Sequence, residues 1–182
     1  MSETPGNSQE TIAETTRLNT DAYNCRLYRT RVVTESRETK SIIYKELQED
    51  TFMFENYPAE TLEEKASKIR SVFSVIKEYI GEEVVDTDIR VGVGHEGIPC
   101  IILTQEEVVG KGLEEGSLEY KTFSQTKKPL LQEKLNKALE DPKIIGIEGI
   151  EDAVDWIRAD AMGAPKNIIL TPDGQYRLID VV

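Results

Sequence analysis

The spacing of apolar residues changes several times along the chain, and each change marks an element. Leu62, Ala66, Ile69, Phe73, Ile76 and Ile80 recur every three or four residues, with Lys, Arg and Glu between them. That period predicts one amphipathic helix from near Ala59 to Ile80, stopped by Gly81. Before it, Arg26 to Val33 and Lys40 to Leu47 alternate in part and are rich in β-branched and aromatic residues. They predict two strands of an antiparallel hairpin, broken at Glu35 to Thr39, with the arginines on its wet face. Asp88 to Val93 and Ile98 to Thr104 predict a second hairpin around Gly94 to Gly97, where the single histidine, His95, reads as a solvated turn residue.

The second half is more broken. Val108 to Ser117 is punctuated by glycine, and Leu118 to Phe123 reads as one more short strand. Leu130, Leu131, Leu135 and Leu139 suit a helix over Pro129 to Leu139. Ile144 to Ile150 is a short apolar run, and Asp152 to Met162 carries an apolar stripe that predicts another helix. Two last apolar runs flank Pro172-Asp173-Gly174, where Pro fixes φ and Gly accepts positive φ, so Asn167 to Val182 reads as a closing hairpin. Thr51 to Pro58, with Phe52, Phe54 and Tyr57, is expected to wrap over the core as a loop. Met1 to Asn19 is almost free of apolar residues and reads as a disordered arm. The expected class is α+β: an antiparallel sheet with a long packed helix, then a small helical part and a terminal β-hairpin. One domain over residues 21–182 is expected, divided as 21–109 and 110–182, behind an arm of residues 1–20.

Composition narrows the range of partners. The chain has 182 residues, enough to bury roughly 70% of its unfolded surface in one core without staples. Lys plus Arg is 22 and Asp plus Glu is 34, a net charge of −12. Nucleic acid and anionic membrane both require clustered cations, so neither is expected as a partner. A nucleotide needs only a few local cations and backbone N–H groups. Cys25 and Cys100 stand far apart, and with one histidine a Cys/His zinc site is excluded. The N-terminus lacks the basic and apolar regions of a signal peptide, and no apolar run approaches the length of a membrane span. A reduced, cytoplasmic protein is expected.

The closing hairpin carries the first chemical hint. Pairing around its turn sets Asn167 opposite Ile179 or Asp180, so an amide and a carboxylate meet at the open end. Two hard oxygen ligands side by side suit a magnesium ion carrying a nucleotide phosphate. A surface hairpin with polar ends is the alternative.

Four motifs in order extend that hint. Ile42-Ile43-Tyr44-Lys45 resembles the Val-Ala-Ile-Lys strand of protein kinases and aminoglycoside-type phosphotransferases. The helix ending at Ile80 stands where that kinase-like family places the helix whose glutamate pairs the lysine. Pro99 to Gly110 resembles the strand and hinge that read adenine, and Asn167 to Asp180 resembles the run whose Asn and Asp hold magnesium. The resemblance covers residues 26–182 and implies ATP and Mg²⁺ as ligands. It makes Lys45 the phosphate cation, Glu63 its helix partner, Gln105 and Glu107 the hinge residues, Asn167 and Asp180 the metal ligands, and Asp160 the base.

The departures from the pattern point away from turnover. The family places its catalytic Asp five residues before the Asn, whereas Asp160 precedes Asn167 by seven, since 167 − 160 = 7. No glycine-rich loop lies between Arg26 and Lys45, Ile43 stands where a small residue makes room for adenine, and no sequence follows Val182 to build an acceptor-binding helical half. The resemblance therefore implies a truncated, catalytically impaired kinase-like module that binds a nucleotide or a protein partner, a second copy included. A minimal ATP-dependent phosphotransferase is the first alternative. An acidic α+β adaptor unrelated to kinases is the second.

Overall fold

The computed structural model describes residues 11–18, 25–34, 36–47, 61–142, 151, 154–155, 157–163 and 165–179. The fold is α+β. The chain divides into two compact units, Met1–Ala59 with Thr87–Glu107, and Glu60–Asp86 with Val108–Val182. The two units are interleaved along the chain, because the long helix packs with a C-terminal helix.

The first unit is a five-stranded antiparallel sheet. Its strands are β1 (Thr11–Arg17), β2 (Cys25–Val33), β3 (Thr39–Leu47), β4 (Thr87–Val93) and β5 (Pro99–Glu106), in the order β1-β2-β3-β5-β4. Both expected hairpins are present, and the β3–β5 ladder, from Ile42 opposite Glu106 to Leu47 opposite Ile101, joins them. Leu47, Ile89, Ile101 and Leu103 bury one face, while Tyr28, Val32, Cys100 and Ile102 bury the other. One expectation is corrected here. Thr11–Arg17, read as part of a disordered arm, pairs with β2 as an edge strand, with a register shift between Ile12 and Glu14. Its threonines are β-branched and suit a pleated, half-wet edge, a preference that apolar counting does not register.

The second unit is mostly helical. Helix α1 (Leu62–Ile80) buries Ala66, Ile69, Val72, Phe73, Ile76 and Ile80, the stripe the period predicted with Val72 added and Leu62 left half-exposed. Thr61 starts it with a capping box, its hydroxyl accepting from the Glu64 N–H while the Glu64 carboxylate takes the Thr61 N–H. Gly81, at φ 86°, ends it. A 3₁₀ turn follows at Gly81–Glu83.

Leu118 to Phe123, expected as a strand, is instead the body of α2 (Leu118–Thr126). The Ser117 hydroxyl accepts from the Tyr120 N–H, and that N-cap outweighs a short alternating pattern. Helix α3 (Lys128–Glu140) buries Leu131, Leu135 and Ala138 and packs on α1, with Tyr79 bonded to Asp141 and Lys134 donating to the Ile80 carbonyl at 2.6 Å. Ile157–Ala161 forms a π turn within the expected helix of Asp152 to Met162. The loop of Thr51 to Pro58 and the run of Ile144 to Ile150 lie outside the described residues.

A small sheet, β6 (Lys111–Gly112), β7 (Ile168–Leu170) and β8 (Tyr176–Leu178), completes the unit in the order β6-β7-β8. Gly110 enters it so closely that a Cβ there would lie 2.5 Å from the Leu170 carbonyl oxygen. The β7–β8 turn holds Gly174 at φ 81°, as the Pro-Asp-Gly signal predicts.

Candidate functional site

Lys45 stands on β3, the central strand of the first sheet, between Leu27 of β2 and Leu103 of β5 in the ladder. It is one cation in an otherwise apolar row that Ile89 extends on β4. Along the same face the next row reads Arg29, Ile43, Gln105 and Thr87. Gln105, expected in the hinge, sits on β5, where its side-chain oxygen lies 3.4 Å from the Thr87 hydroxyl. Glu107 lies just past the end of β5, its backbone N–H donating to the Ser41 carbonyl at 2.8 Å and its carboxylate taking Arg29 Nη2 at 2.5 Å. The strand end expected to act as a hinge is therefore tied to β3 by its backbone and to β2 by an ion pair.

The remaining expected residues belong to the second unit. Glu63, in the first turn of α1, pairs with Arg70 at 2.6 Å on the exposed side of the helix. Asp160 falls in the π turn, and its side chain lies outside the described residues. Asn167 ends the 3₁₀ turn Pro165–Asn167, is buried, and accepts the Ile179 N–H at its carbonyl at 3.2 Å. That bond sets Asn167 opposite Ile179, one of the two registers the turn predicted. Asp180 lies outside the described residues. Of the magnesium ligands the resemblance implies, the described part is one buried amide, which alone does not make a site for a hard divalent cation. Among the described residues, no group of three or more His, Cys, Asp or Glu side chains is placed to hold a metal ion.

The other face of the first sheet carries a cluster that sequence reading did not assemble. Glu46 is 1% exposed, and its Oε1 accepts the His95 backbone N–H at 2.7 Å and lies 2.6 Å from His95 Nδ1. With the carboxylate accepting, Nδ1 carries a proton. The imidazole stacks on Tyr28 with centroids 4.0 Å apart and meets the Tyr44 ring edge-on at 5.2 Å. Arg26 approaches Glu46 at 3.9 Å and pairs with Glu96 at 2.7 Å. His95 is exposed in the turn, as its sequence position suggests, and in addition one edge of its ring is held by Glu46. Burial and then the Glu46 charge push the phenols of Tyr28 and Tyr44 and the thiol of Cys100 above their ordinary values. The two contacts from Glu46 to His95 tie the β4–β5 turn to the sheet. The strand alternation that sets Glu46 beside Tyr44 was visible in sequence, but nothing in the sequence paired Glu46 with a turn so far along the chain.

Among the described residues, no helix is long and apolar enough to cross a membrane. Compared with family models and with curated proteins, the chain matches none.

Proposed function

We propose that this protein is a kinase-like module that acts by binding a nucleotide or a partner rather than by turning over a substrate. The observation that carries the reading is Lys45, a cation on the central strand with Leu27 and Leu103 as its ladder neighbours. A cation set in an apolar row suits a ligand with both a flat apolar part and a phosphate, since the low-dielectric surround strengthens its pull on the anion. The joining of both hairpins into one antiparallel sheet, with α1 inserted between β3 and β4, agrees with the element order that prompted the resemblance. The altered spacing from Asp160 to Asn167 and the engagement of Glu107 by Arg29 favour binding over phosphoryl transfer. Cys25 and Cys100, neither of them in a disulfide, suit a cytoplasmic setting.

The test is a thermal-shift titration with ATP and magnesium on the wild type and on Lys45→Ala. Ligand at a hundredfold excess over its dissociation constant stabilises by roughly 2.7 kcal/mol, and Lys45→Ala is expected to lose that shift. No shift in the wild type at millimolar nucleotide removes nucleotide binding and leaves the acidic adaptor. ATP turnover abolished by Asp160→Asn would favour the minimal phosphotransferase. Self-association is read separately by light scattering, where a monomer at high concentration excludes a second copy as the partner.

A further inference from the structure

The structure assigns a second anion-binding position on the sheet, beginning in the row next to that of Lys45. A hollow of about 130 Å³ on the β1–β2 ribbon is lined by Glu14, Thr16, Arg29 and Arg31. The ladder explains its composition. Thr16 is the Cα partner of Arg29 and Glu14 that of Arg31, so all four side chains share one face, and that face also carries Lys45 on β3. Two arginines at i and i+2 of one strand stand about 7 Å apart and point the same way, close enough for both to grip one tetrahedral group.

Three features show that these arginines are not merely a wet face. Arg29 gives Nη2 to Glu107 at 2.5 Å, which fixes its guanidinium across the sheet. Its Nε–H is fully buried and has no hydrogen-bond acceptor among the described residues, a costly state for a charged donor. Among the described residues Arg31 is held only by Glu14 at 3.6 Å, with both side chains more than half exposed, a kind of pair that contributes little. The position is thus a fixed cation next to a cation whose own partner is easily displaced.

We propose that Arg29, Arg31 and Thr16 bind the phosphoryl groups of a small polyphosphate, free or as the tail of a nucleotide. The incoming oxyanion takes the place of the Glu14 carboxylate on Arg31, offers an acceptor to the Arg29 guanidinium, and receives the Thr16 hydroxyl. A planar guanidinium fork matches phosphate oxygens better than an ammonium does, so arginine at both positions suits this ligand class. The site needs no base and no metal. Only where the polyphosphate belongs to a nucleotide does it rest on the nucleotide-binding reading.

Calorimetric titration at low salt tests it with sodium tripolyphosphate and, separately, with ATP. Tripolyphosphate is expected to bind the wild type, to weaken at least about fivefold in Arg31→Gln through loss of a charge-assisted bond, and to tighten in Glu14→Gln, which removes the competing carboxylate. Circular dichroism confirms that each variant is folded, and both substitutions fall on exposed side chains. No tripolyphosphate binding at millimolar concentration overturns the proposal. So does binding unchanged in both variants, or binding weakened as much by the remote Lys121→Gln. Tripolyphosphate binding without ATP binding upholds this position and removes the nucleotide reading, while ATP binding that ignores Arg31→Gln does the reverse.

Discussion

Glu46 and Gly94 are a pair that single-residue chemistry can interrogate. A Cβ at Gly94 would lie 2.8 Å from Glu46 Oε2, so the turn must present a glycine for the carboxylate to reach His95. Glu46→Ala removes two hydrogen bonds to a charged acceptor and is expected to cost about 2 kcal/mol in urea unfolding at neutral pH. Gly94→Ala is expected to cost about 1–2 kcal/mol by crowding the carboxylate. In the Glu46→Ala background most of that second penalty should vanish, because the obstructing atom is gone. Strictly additive losses would remove the steric account. Tyr79 offers a test by pH. Its bond to Asp141 is the main cause raising the phenol from 10.0 to about 12. A raised folded-state value means the contact is fully present below pH 10 and is lost as pH rises toward 12. Tyr28 and Tyr44 are raised as well, so Tyr79→Phe should remove one of several late-titrating phenols from the tyrosinate absorbance, and an unchanged alkaline titration would contradict the bond.

Among the elements, α1 is the one whose start and stop are both chemical. Thr61→Ala should cost about 1 kcal/mol, read as a lower urea midpoint at unchanged slope. The backbone and side-chain bonds from Thr61 hold the Glu64 carboxyl below its ordinary range. The capping contribution is thus present above the ordinary carboxyl range and fades as pH falls through the lowered value, so wild type and Thr61→Ala should converge in acid. A difference that persists in acid would assign the cap to the hydroxyl alone. Periodicity made α1, α3 and both hairpins of the sheet legible, because each buries a continuous stripe or alternates over enough residues to average out exceptions. It failed where the deciding contact was a single polar residue. In Leu118 to Phe123 the alternation of Leu, Tyr and Thr imitated a strand, and the Ser117 cap set the helix. In Thr11–Arg17 the pairing partner, β2, had to be known before so polar a run could be read as a strand. The site residues show the same limit: the position of Lys45 on its strand and of Asn167 at its turn followed from local pattern. The engagement of Glu107 by Arg29 and of His95 by Glu46 depends on ladders between distant segments.

At the scale of the whole molecule, the order of segments matters more than any one contact. The chain passes from the sheet unit to the helical unit at residue 60, returns at 87 and leaves again at 108, so no single cut separates the two. A fragment of residues 108–182 would keep α3 but lose α1, against which α3 packs. It is expected to show little cooperative unfolding by circular dichroism, and a sharp transition in that fragment would refute the interleaving. Synthesis on the ribosome adds a demand of its own. β2 and β3 emerge together and can pair at once, yet the outer edge of β3, which carries Leu47 toward Ile101, must wait until all of α1 and β4 have been made. For that interval the nascent chain displays an unsatisfied strand edge, the kind of surface that recruits neighbouring chains. Closing the long loop also makes the β3–β5 ladder the slowest pairing in the sheet. Expression yield should therefore depend on how quickly α1 and β4 follow, and slowing translation within them should raise aggregation more than slowing it beyond β5.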